Sequence, residues 1–302
     1  MILAADIGGT KIAAALINGG SILGEVVSLP TPAREGASAV VAAVSALLGE
    51  VGGSARPSAV GLSCAGVVVD GRITAATSHI AGWAGTAVAA EVGSALGAPV
   101  ATLNDGHAFG VGEALFGAGR GHETVLLAAV GTGIGGAIVR QGEPWLGARG
   151  VVGHVGHVAV GLAQGMPCYC GATGHLEAVA GGAGMLRRYL DLGGDPSVAS
   201  ARELFDRPDD ALAGSVVESC AEAVGEALAG LANAIDPDVV VLAGGIAQAG
   251  TAWESTVRAA FAAGLMPALA GLEVVVSDGG TEMALRGAAT FAARHAEARR
   301  TG

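Results

Sequence analysis

The feature that most constrains the fold is a pattern that occurs twice in the chain. The stretch LAADIGGTKIAAALINGG begins at Leu3, and LAAVGTGIGGAIVRQGE begins at Leu127. Each stretch has the pattern of an apolar strand, a Gly/Thr turn and a second strand. The repeat predicts two related halves built from strands and helices, that is, a duplicated α/β domain rather than a solenoid.

The two Gly/Thr turns predict a phosphate site. Such a turn exposes backbone N–H groups and lets a phosphate approach without side-chain hindrance. Either turn alone is equally explained as a plain hairpin, but the matched pair favours one polyphosphate held by both. The second turn also fits GxGxxG, yet the dinucleotide motif requires a following helix and an acidic residue about 20 positions on, and neither is present. The predicted phosphate-site residues are Asp6, Gly8, Gly9, Thr10, Lys11, Gly131, Thr132, Gly133 and Gly135.

Between the turns, strand and helix patterns alternate. SAVVAAVSALLGEV predicts a helix with Ser38 as its N-cap, and SAVGLSCAGVVV has the pattern of a strand. The long helical pattern SVVESCAEAVGEALAGLANAI places Cys220 on its apolar face, so this thiol is predicted to lie in the core.

Composition and charge exclude several classes of function. The 302-residue chain is 51% hydrophobic and 14% charged, which is typical of a soluble globular protein with a large core. Its net charge of −11 argues against a nucleic-acid partner, since phosphate backbones select basic surfaces. No stretch has the pattern of a signal peptide or a membrane span. The four cysteines do not suggest a disulfide framework, so a cytoplasmic protein without a membrane partner is predicted.

Asn104 and Asp105 follow the strand pattern APVATL where a helix is predicted to begin. Both residue types are favoured as helix N-caps, which is the structural alternative. Beside a phosphate site, however, Asp105 becomes a candidate general base. Phosphoryl transfer to an alcohol uses a carboxylate within hydrogen-bonding reach of the hydroxyl.

The segment GHVGHVAVGLAQGMPCYCGATGHLE, from Gly153 to Glu177, predicts a metal site. Four of its nitrogen and sulfur donors form a set of the kind that makes a closed, structural, tetrahedral zinc site. The alternative is a flexible glycine-rich loop with incidental thiols, which four compatible ligands within nineteen positions disfavour. The predicted zinc ligands are His157, Cys168, Cys170 and His175.

Together, DIGGTK, Asn104-Asp105, GTGIGG, the GHVGH…CYCGATGHLE segment and DPDVVVLAGG resemble the ROK sugar kinases in type and order. The resemblance covers essentially the whole chain. It implies an α/β, actin-like (ribonuclease H-like) ATPase fold with two lobes around a cleft. Residues 1–106 would form the N-terminal lobe, with helix 284–300 packed back on it, and residues 107–283 a C-terminal lobe with the zinc-binding loop. Homodimers or homotetramers are also implied.

The resemblance further implies ATP with Mg²⁺, structural Zn²⁺, and phosphorylation of a hexose 6-hydroxyl with Asp105 as the base. His157 would both bind zinc and reach the sugar, and Gly244 and Gly245 would lie against the nucleoside. The implied sugar-site residues are Gly66, His79, Asn104, Asp105, His154, His157 and Glu177.

Three positions depart from the common family pattern. His175 replaces the third zinc cysteine, His154 the glutamate of GEIGH, and His79 an asparagine. His154 and His79 resemble bacterial N-acetylmannosamine kinases, as do LPTPA (Leu29 to Ala33) and GVVVDG (Gly66 to Gly71). N-acetylmannosamine is therefore the predicted substrate, with glucokinase as the alternative.

The non-enzyme alternative is a sugar-sensing ROK protein without kinase activity. ROK repressors carry a DNA-binding helix-turn-helix ahead of this fold. Here the phosphate motif begins six residues into the chain, which leaves no room for one.

Overall fold

The computed structural model describes residues 1–77 and 79–301 and divides into two compact units. The first unit comprises Met1–Gly121, Val139–Val152 and the residues from Gly279 onward, and the second comprises His122–Ile138 and Gly153–Asp278. The strands are β1 (Ile2–Ile7), β2 (Lys11–Asn18), β3 (Ser21–Pro30), β4 (Ala59–Cys64), β5 (Val67–Val69), β6 (Arg72–Ala75), β7 (Val100–Asn104), β8 (Thr124–Val130), β9 (Ile134–Arg140), β10 (Glu143–Pro144), β11 (Val239–Ala243) and β12 (Val274–Val276). The helices are α1 (Ala37–Gly52), α2 (Val88–Leu96), α3 (Asp105–Phe116), α4 (Glu177–Ala180), α5 (Gly182–Asp191), α6 (Arg202–Phe205), α7 (Ala211–Ile235), α8 (Thr251–Gly264) and α9 (Thr281–Thr301).

The first unit is built on a five-stranded sheet of order β3-β2-β1-β4-β7. β1, β4 and β7 run parallel, and β2 and β3 are antiparallel additions at one edge. Side chains alternate between the two faces of β1, as the pleat requires. Ala5 and Ile7 join one core with α1 and α2, whereas Ile2 and Ala4 join another with α9.

Glycines allow α9 to pack closely on the rest of the first unit. A Cβ at Gly287 of α9 would lie 1.8 Å from the carbonyl oxygen of Ala108 in α3. Conversely, a Cβ at Gly112 of α3 would lie 2.0 Å from the carbonyl oxygen of Met283 in α9. Real Cβ atoms do not approach backbone oxygen so closely, so larger residues would force the two helices apart.

The second unit contains β9, β8, β11 and β12 in that order, and β8, β11 and β12 are parallel. The last two residues of β9, Val139 and Arg140, belong to the first unit and pair there with β10. Helix α7 packs against α8 and buries Cys220 completely, which confirms the predicted core position of this residue.

Two local predictions were wrong. Helix α1 begins at Ala37 after an N-cap at Gly36, not at Ser38, because the Ala37 amide is held by the Ala81 carbonyl at 3.0 Å. SAVGLSCAGVVV forms two strands, β4 and β5, rather than one. The chain bends between them at Gly66, whose φ of 102° is readily accessible only to glycine.

Among the described residues, no helix combines the length and apolarity needed to cross a bilayer. All four cysteines are free thiols.

Candidate functional site

In the first unit, polar side chains gather where the parallel strands end. Asp6 of β1 pairs in register with Ser63 of β4, and Cys64 pairs with Asn104 of β7. Asp105 follows Asn104 directly and begins α3. Ligands of open α/β sheets bind outside the carboxyl ends of the strands. We call Asp6, Ser63, Asn104 and Asp105 the carboxylate cluster.

Asn104 is the N-cap of α3 and also holds Asp105. Its Oδ1 accepts hydrogen bonds from the amides of Gly106 (2.9 Å) and His107 (3.3 Å). Its Nδ2 donates to the Gly66 carbonyl at 2.9 Å and to Asp105 Oδ1 at 2.7 Å. Asn104 is therefore a helix N-cap, as the alternative interpretation of this residue predicted. The same side chain also fixes the neighbouring carboxylate of Asp105.

The environment of Asp105 suits a general base. Asp105 is exposed, so a ligand can reach it. The surrounding protein removes much of the water from its carboxylate and, with the negative charge of Asp6, raises the pKa of Asp105 to about 6. Hydrogen bonds from the Gly106 amide and from Asn104 oppose this rise in pKa. A carboxyl group with a pKa near neutrality accepts a proton more readily than an ordinary aspartate.

Asp6 is held by a residue that the sequence motifs did not reveal. Ser63, which is completely buried, donates from Oγ to Asp6 Oδ1 at 2.6 Å. Burial raises the pKa of Asp6, and the Ser63 hydrogen bond and the charge of Lys11 lower it in part. No short motif marks Ser63, although the parallel pairing of β1 and β4 would have indicated it.

The first glycine turn (Gly8–Lys11) joins β1 to β2. It is closed by a hydrogen bond of 3.0 Å from the Gly8 amide to the Lys11 carbonyl. Thr31, the residue after β3, supports it twice: Oγ1 donates to the Gly8 carbonyl at 2.7 Å, and its amide donates to the Thr10 carbonyl at 3.0 Å. Thr10 and Lys11 are exposed, so this side of the turn is accessible to a ligand.

His79 lies beside the first glycine turn. A Cβ at Gly9 would be 3.3 Å from His79 Cβ. The ring is exposed, and its Nδ1 is 2.7 Å from Thr77 Oγ1. In the first unit, a predicted sugar residue therefore touches the predicted phosphate turn.

The second glycine turn (Gly131–Ile134) joins β8 to β9. The Gly131 amide donates to the Gly133 carbonyl at 2.9 Å. Glu177, the first residue of α4, accepts from the Ile134 amide through Oε2 at 2.8 Å. A Cβ at Gly133 would lie only 2.5 Å from the same carboxylate oxygen. Glu177, predicted as a sugar residue, therefore packs directly on the second glycine turn.

The predicted zinc ligands come together in the second unit. One ligand atom from each of the four lies within 4.8 Å of all the others. Cys168 Sγ is 3.7 Å from His157 Nδ1, and Cys170 Sγ is 3.3 Å from His175 Nδ1. Donors around a tetrahedral zinc ion lie roughly 3.3–3.8 Å apart, so these two pairs already have the required spacing. We call these four residues the metal cluster.

The chemistry of this donor set also fits zinc. Two thiols and two imidazoles are an established combination for a closed tetrahedral site. Burial is the main cause that lowers the pKa of His157, which keeps its imidazole neutral and able to bind a metal. The backbone of the loop supports the cluster, because the Cys168 amide donates to the Ala172 carbonyl at 2.8 Å.

His154 lies directly before the short 3₁₀ helix Val155–His157. It is half-buried, and its ring stacks on that of His157 with centroids 6.2 Å apart and an angle of 20° between planes. His154 therefore lies directly beside a member of the metal cluster.

The fold requires a glycine at the first of the two positions after β11 but not at the second. Gly244 has a φ of 93°, and a Cβ there would lie 2.4 Å from the Val130 carbonyl oxygen, so β8 alone requires this glycine. An added Cβ at Gly245 would meet no other protein atom within 4 Å, and the same is true at Gly131 and Gly135. At these three positions the protein itself does not require a glycine on steric grounds.

Arg187 of α5 is another residue that sequence reasoning missed. Its Nη2 donates to the Ala178 carbonyl at 2.7 Å and to the Pro167 carbonyl at 3.5 Å. These carbonyls lie one residue after Glu177 and one residue before Cys168. Arg187 therefore connects α4 to the loop that carries the metal cluster (residues 157–175), which we call the metal loop.

The chain is similar in both structure and sequence to ROK family proteins. The solved structure of a ROK hexokinase from Thermus thermophilus is similar with a TM-score of 0.87 and 32% identity, over 98% of this chain and 99% of that chain. The predicted α/β, actin-like ATPase fold with two lobes is thereby confirmed. A family model described as the ROK family matches residues 2–295, and the chain belongs to this family.

Two curated relatives carry different names. A glucokinase of Thermotoga maritima is 30% identical over 96% of this chain and 96% of its own length. An N-acetylmannosamine kinase of Yersinia pseudotuberculosis is 33% identical over 82% of this chain and 83% of its own length. The identities alone do not separate the two substrates.

Proposed function

We propose that this chain, an ATP-dependent sugar kinase of the ROK family, phosphorylates the 6-hydroxyl of N-acetylmannosamine. The observation that carries the choice of sugar is His154, whose ring stacks on His157 beside the metal cluster. The Yersinia relative named N-acetylmannosamine kinase supports the same choice.

Asp105 would act as the general base. Asn104 holds Asp105 Oδ1 at 2.7 Å, which fixes the direction in which the carboxylate faces. The carboxylate takes the proton of the 6-hydroxyl as the sugar oxygen bonds to the γ-phosphorus of ATP and the bond to the β-phosphate oxygen breaks. The products are the sugar 6-phosphate and ADP, and the proton stays on Asp105 until water removes it.

The two glycine turns would hold the phosphates of ATP. Gly9 and Thr10 offer backbone N–H groups, and Lys11 adds a positive charge at an exposed position, while the Gly8 amide closes the turn on the Lys11 carbonyl. In the second unit the Thr132 amide would serve in the same way, and Gly131, whose own amide donates to the Gly133 carbonyl, would leave room for the phosphate. Mg²⁺ bound with ATP neutralises phosphate charge, and Asp6 would help to hold it. Gly245 would leave room for the nucleoside, since an added Cβ there meets no protein atom within 4 Å.

The metal cluster would hold a structural zinc ion. When bound, zinc supplies a fixed point that joins the two ends of the loop. Its four ligands are then occupied by the metal, and the ring of His157 is held in one orientation. The free edge of that ring would contact the sugar, together with Glu177 and Asn104.

His154 would recognise the acetamido group. A glutamate at this position is an acceptor only, whereas a neutral imidazole offers one donor and one acceptor. The carbonyl of the 2-acetamido group needs a donor, and a carboxylate facing it would leave acceptors unpaired. A buried unpaired polar group costs about 1–3 kcal/mol, which corresponds to roughly tenfold or greater discrimination.

Glucose phosphorylation is the second candidate function. The Thermotoga relative named glucokinase favours it, and that relative matches almost the whole chain. The two candidates share the base, the glycine turns and the metal cluster, and they differ in what His154 contacts.

A steady-state comparison of the two sugars tests the proposal. We expect kcat/KM of the wild type to be higher for N-acetylmannosamine than for glucose, and His154→Glu to move the ratio towards glucose by about tenfold. Gln164→Glu is the matched control, because it adds the same charge at an exposed position of the same loop. A wild type that strongly prefers glucose would support the second candidate. A chain that consumes no ATP with any hexose would favour a sugar sensor.

A further inference from the structure

Glu177 lies between the metal loop and the second glycine turn, both of which belong to the second unit. Its Oε2 accepts the Ile134 amide hydrogen at 2.8 Å, and the same oxygen fills the space where a Cβ at Gly133 would lie. Glu177 is half-buried, so the carboxylate is held by the protein on one side and is accessible on the other. A sugar contact alone would not require this hydrogen bond to the turn.

The backbone that follows Glu177 supports the same turn. The Gly182 amide donates to the Gly131 carbonyl at 2.8 Å, and the Ala183 amide donates to the Thr132 carbonyl at 2.9 Å. A Cβ at Gly181 would lie 3.1 Å from Gly133 Cα. The end of α4, the start of α5 and the second glycine turn are therefore one packed assembly, with Glu177 as its side-chain contact.

The backbone that precedes Glu177 belongs to the metal loop. His175, a member of the metal cluster, lies two residues before Glu177 and pairs with Ala159 in an antiparallel bridge. The next amide, of Leu176, donates to the Val158 carbonyl at 2.9 Å. Contacts therefore run without interruption from the metal loop through Glu177 to the second glycine turn.

We propose that Glu177 couples sugar binding to nucleotide binding, a role that rests on the proposed function and extends it. Oε2 fixes the second glycine turn through the Ile134 amide, and Oε1 accepts from a sugar hydroxyl. A bound sugar holds the carboxylate in place, which in turn holds the turn in the shape that receives the phosphates. Glu177 is thus a positioning residue for ATP as well as a sugar contact.

Binding measurements without turnover test this coupling. Calorimetry with a non-hydrolysable ATP analogue and Mg²⁺ gives nucleotide affinity with and without N-acetylmannosamine. We expect the sugar to tighten nucleotide binding by at least about fivefold in the wild type, and the nucleotide to tighten sugar binding by the same factor. Equal nucleotide affinities with and without sugar would overturn the proposal.

Variants of Glu177 separate its two roles. Glu177→Ala removes the hydrogen bond to Ile134, so we expect nucleotide binding in the absence of sugar to weaken about five- to tenfold. Glu177→Gln keeps a carbonyl acceptor for Ile134, so its sugar-free nucleotide affinity should stay within about twofold of wild type while sugar binding weakens. If Glu177→Ala binds the nucleotide as tightly as the wild type does, Glu177 is only a sugar contact and the coupling is overturned. Glu222→Gln, at an exposed position of α7, is the control.

Gly133 provides an independent test through a double-mutant cycle. Gly133→Ala places a methyl group where Glu177 Oε2 lies and should displace the carboxylate, so it should weaken sugar-free nucleotide binding as Glu177→Ala does. The double variant should then be no worse than Glu177→Ala alone. Additive losses would show that the methyl group acts on the nucleotide directly and would overturn the coupling. Gly214→Ala, on α7 in open space, is the matched control.

Failure of this proposal is distinguishable from failure of the proposed function. If the wild type phosphorylates a hexose, and Glu177→Ala binds the nucleotide without sugar as tightly as the wild type does, the coupling is rejected and the kinase activity stands. If the wild type binds the nucleotide analogue but consumes no ATP with any hexose, the proposed function is rejected. The proposed effect of sugar on nucleotide binding is then rejected as well.

Discussion

The two glycine turns have related sequences but are supported in different ways. The first is held by Thr31, which donates from both its hydroxyl and its amide to the backbone of the turn. The second is held by Glu177 through the Ile134 amide and by the backbone at Gly182. The repeated stretches therefore preserve the turn itself, while each unit has its own means of fixing it.

Each turn also touches a predicted sugar residue, but at different distances. A Cβ at Gly9 would lie 3.3 Å from His79 Cβ, whereas a Cβ at Gly133 would lie 2.5 Å from Glu177 Oε2. His79 bonds to Thr77 and only packs on its turn, while Glu177 bonds to its turn directly. Under the proposed function, the first unit contributes the reacting carboxylate, and the second contributes a sugar contact that is bonded to its own glycine turn.

The largest expected effect tests the reactive role of the first unit. Asp105→Asn should fold and bind sugar, because the amide keeps an oxygen where Asn104 and Gly106 donate to Oδ1. The variant lacks a base, so kcat should fall about 10²–10⁴-fold. Rapid-quench measurement of sugar phosphate gives kcat, and sugar binding by calorimetry is the control. Turnover close to wild type would remove Asp105 from the mechanism.

The next largest effect tests the positioning role of the second unit. Cys168→Ser should lose zinc, since a serine hydroxyl is a poor zinc ligand, and KM for the sugar should rise by up to about 10²-fold because His157 is no longer held in place. Cys220→Ser is the control: this thiol is outside the metal cluster and donates to the Val179 carbonyl, as a hydroxyl also can. Metal content by mass spectrometry and sugar KM are measured together. Full activity in metal-free protein would contradict a positioning role for zinc.

The pH profile gives a graded test of the carboxylate cluster. Asp105 has a pKa of about 6 because of desolvation and the charge of Asp6, and it acts as a base only when ionised. We therefore expect kcat/KM to be constant above that pH and to fall about tenfold per pH unit below it. Measurements between about pH 5 and 8 with saturating Mg-ATP would show this limb. A profile that stays flat to pH 5 would contradict the assignment of the base.

The smallest expected effect compares the two turns directly. Gly9→Ala requires His79 to move by only a few tenths of an ångström, so KM for ATP should change by no more than about threefold. Gly133→Ala displaces a hydrogen-bonded carboxylate and should have the larger effect. If the two variants raise KM for ATP equally, the difference between the turns has no functional consequence.

Local patterns predicted much of the fold and failed where distant residues decide the structure. The apolar face of α7 was sufficient to place Cys220 in the core, because periodicity is a local property. The start of α1 depends on a hydrogen bond from Ala37 to Ala81, 44 positions away, and the preference of serine for N-caps could not reveal it. At Gly66 an added Cβ would lie 2.6 Å from the Ala75 carbonyl oxygen of β6, so the need for glycine there depends on the pairing of β5 with β6.

The candidate site shows the same division. The spacing of the metal cluster lies within one loop, so the sequence was enough to select residues that the structure brings within 4.8 Å. The contact between Glu177 and Ile134 joins residues 43 positions apart through the packing of α4 on the second glycine turn. Ser63 likewise reaches Asp6 only through strand pairing, and serine is too common for its presence in a strand to signal this.

The position of α9 has a consequence for synthesis of the chain on the ribosome. Leu285, Ala289 and Ala292 complete the core that Ile2 and Ala4 begin. While the polypeptide is still being translated, one face of the N-terminal sheet therefore remains bare, long after its strands have left the exit tunnel. The second unit, whose large segment Gly153–Asp278 is continuous, can collapse in the meantime. Chaperone dependence and losses from premature termination should therefore concentrate on the first unit, whose core is completed only after α9 has been translated.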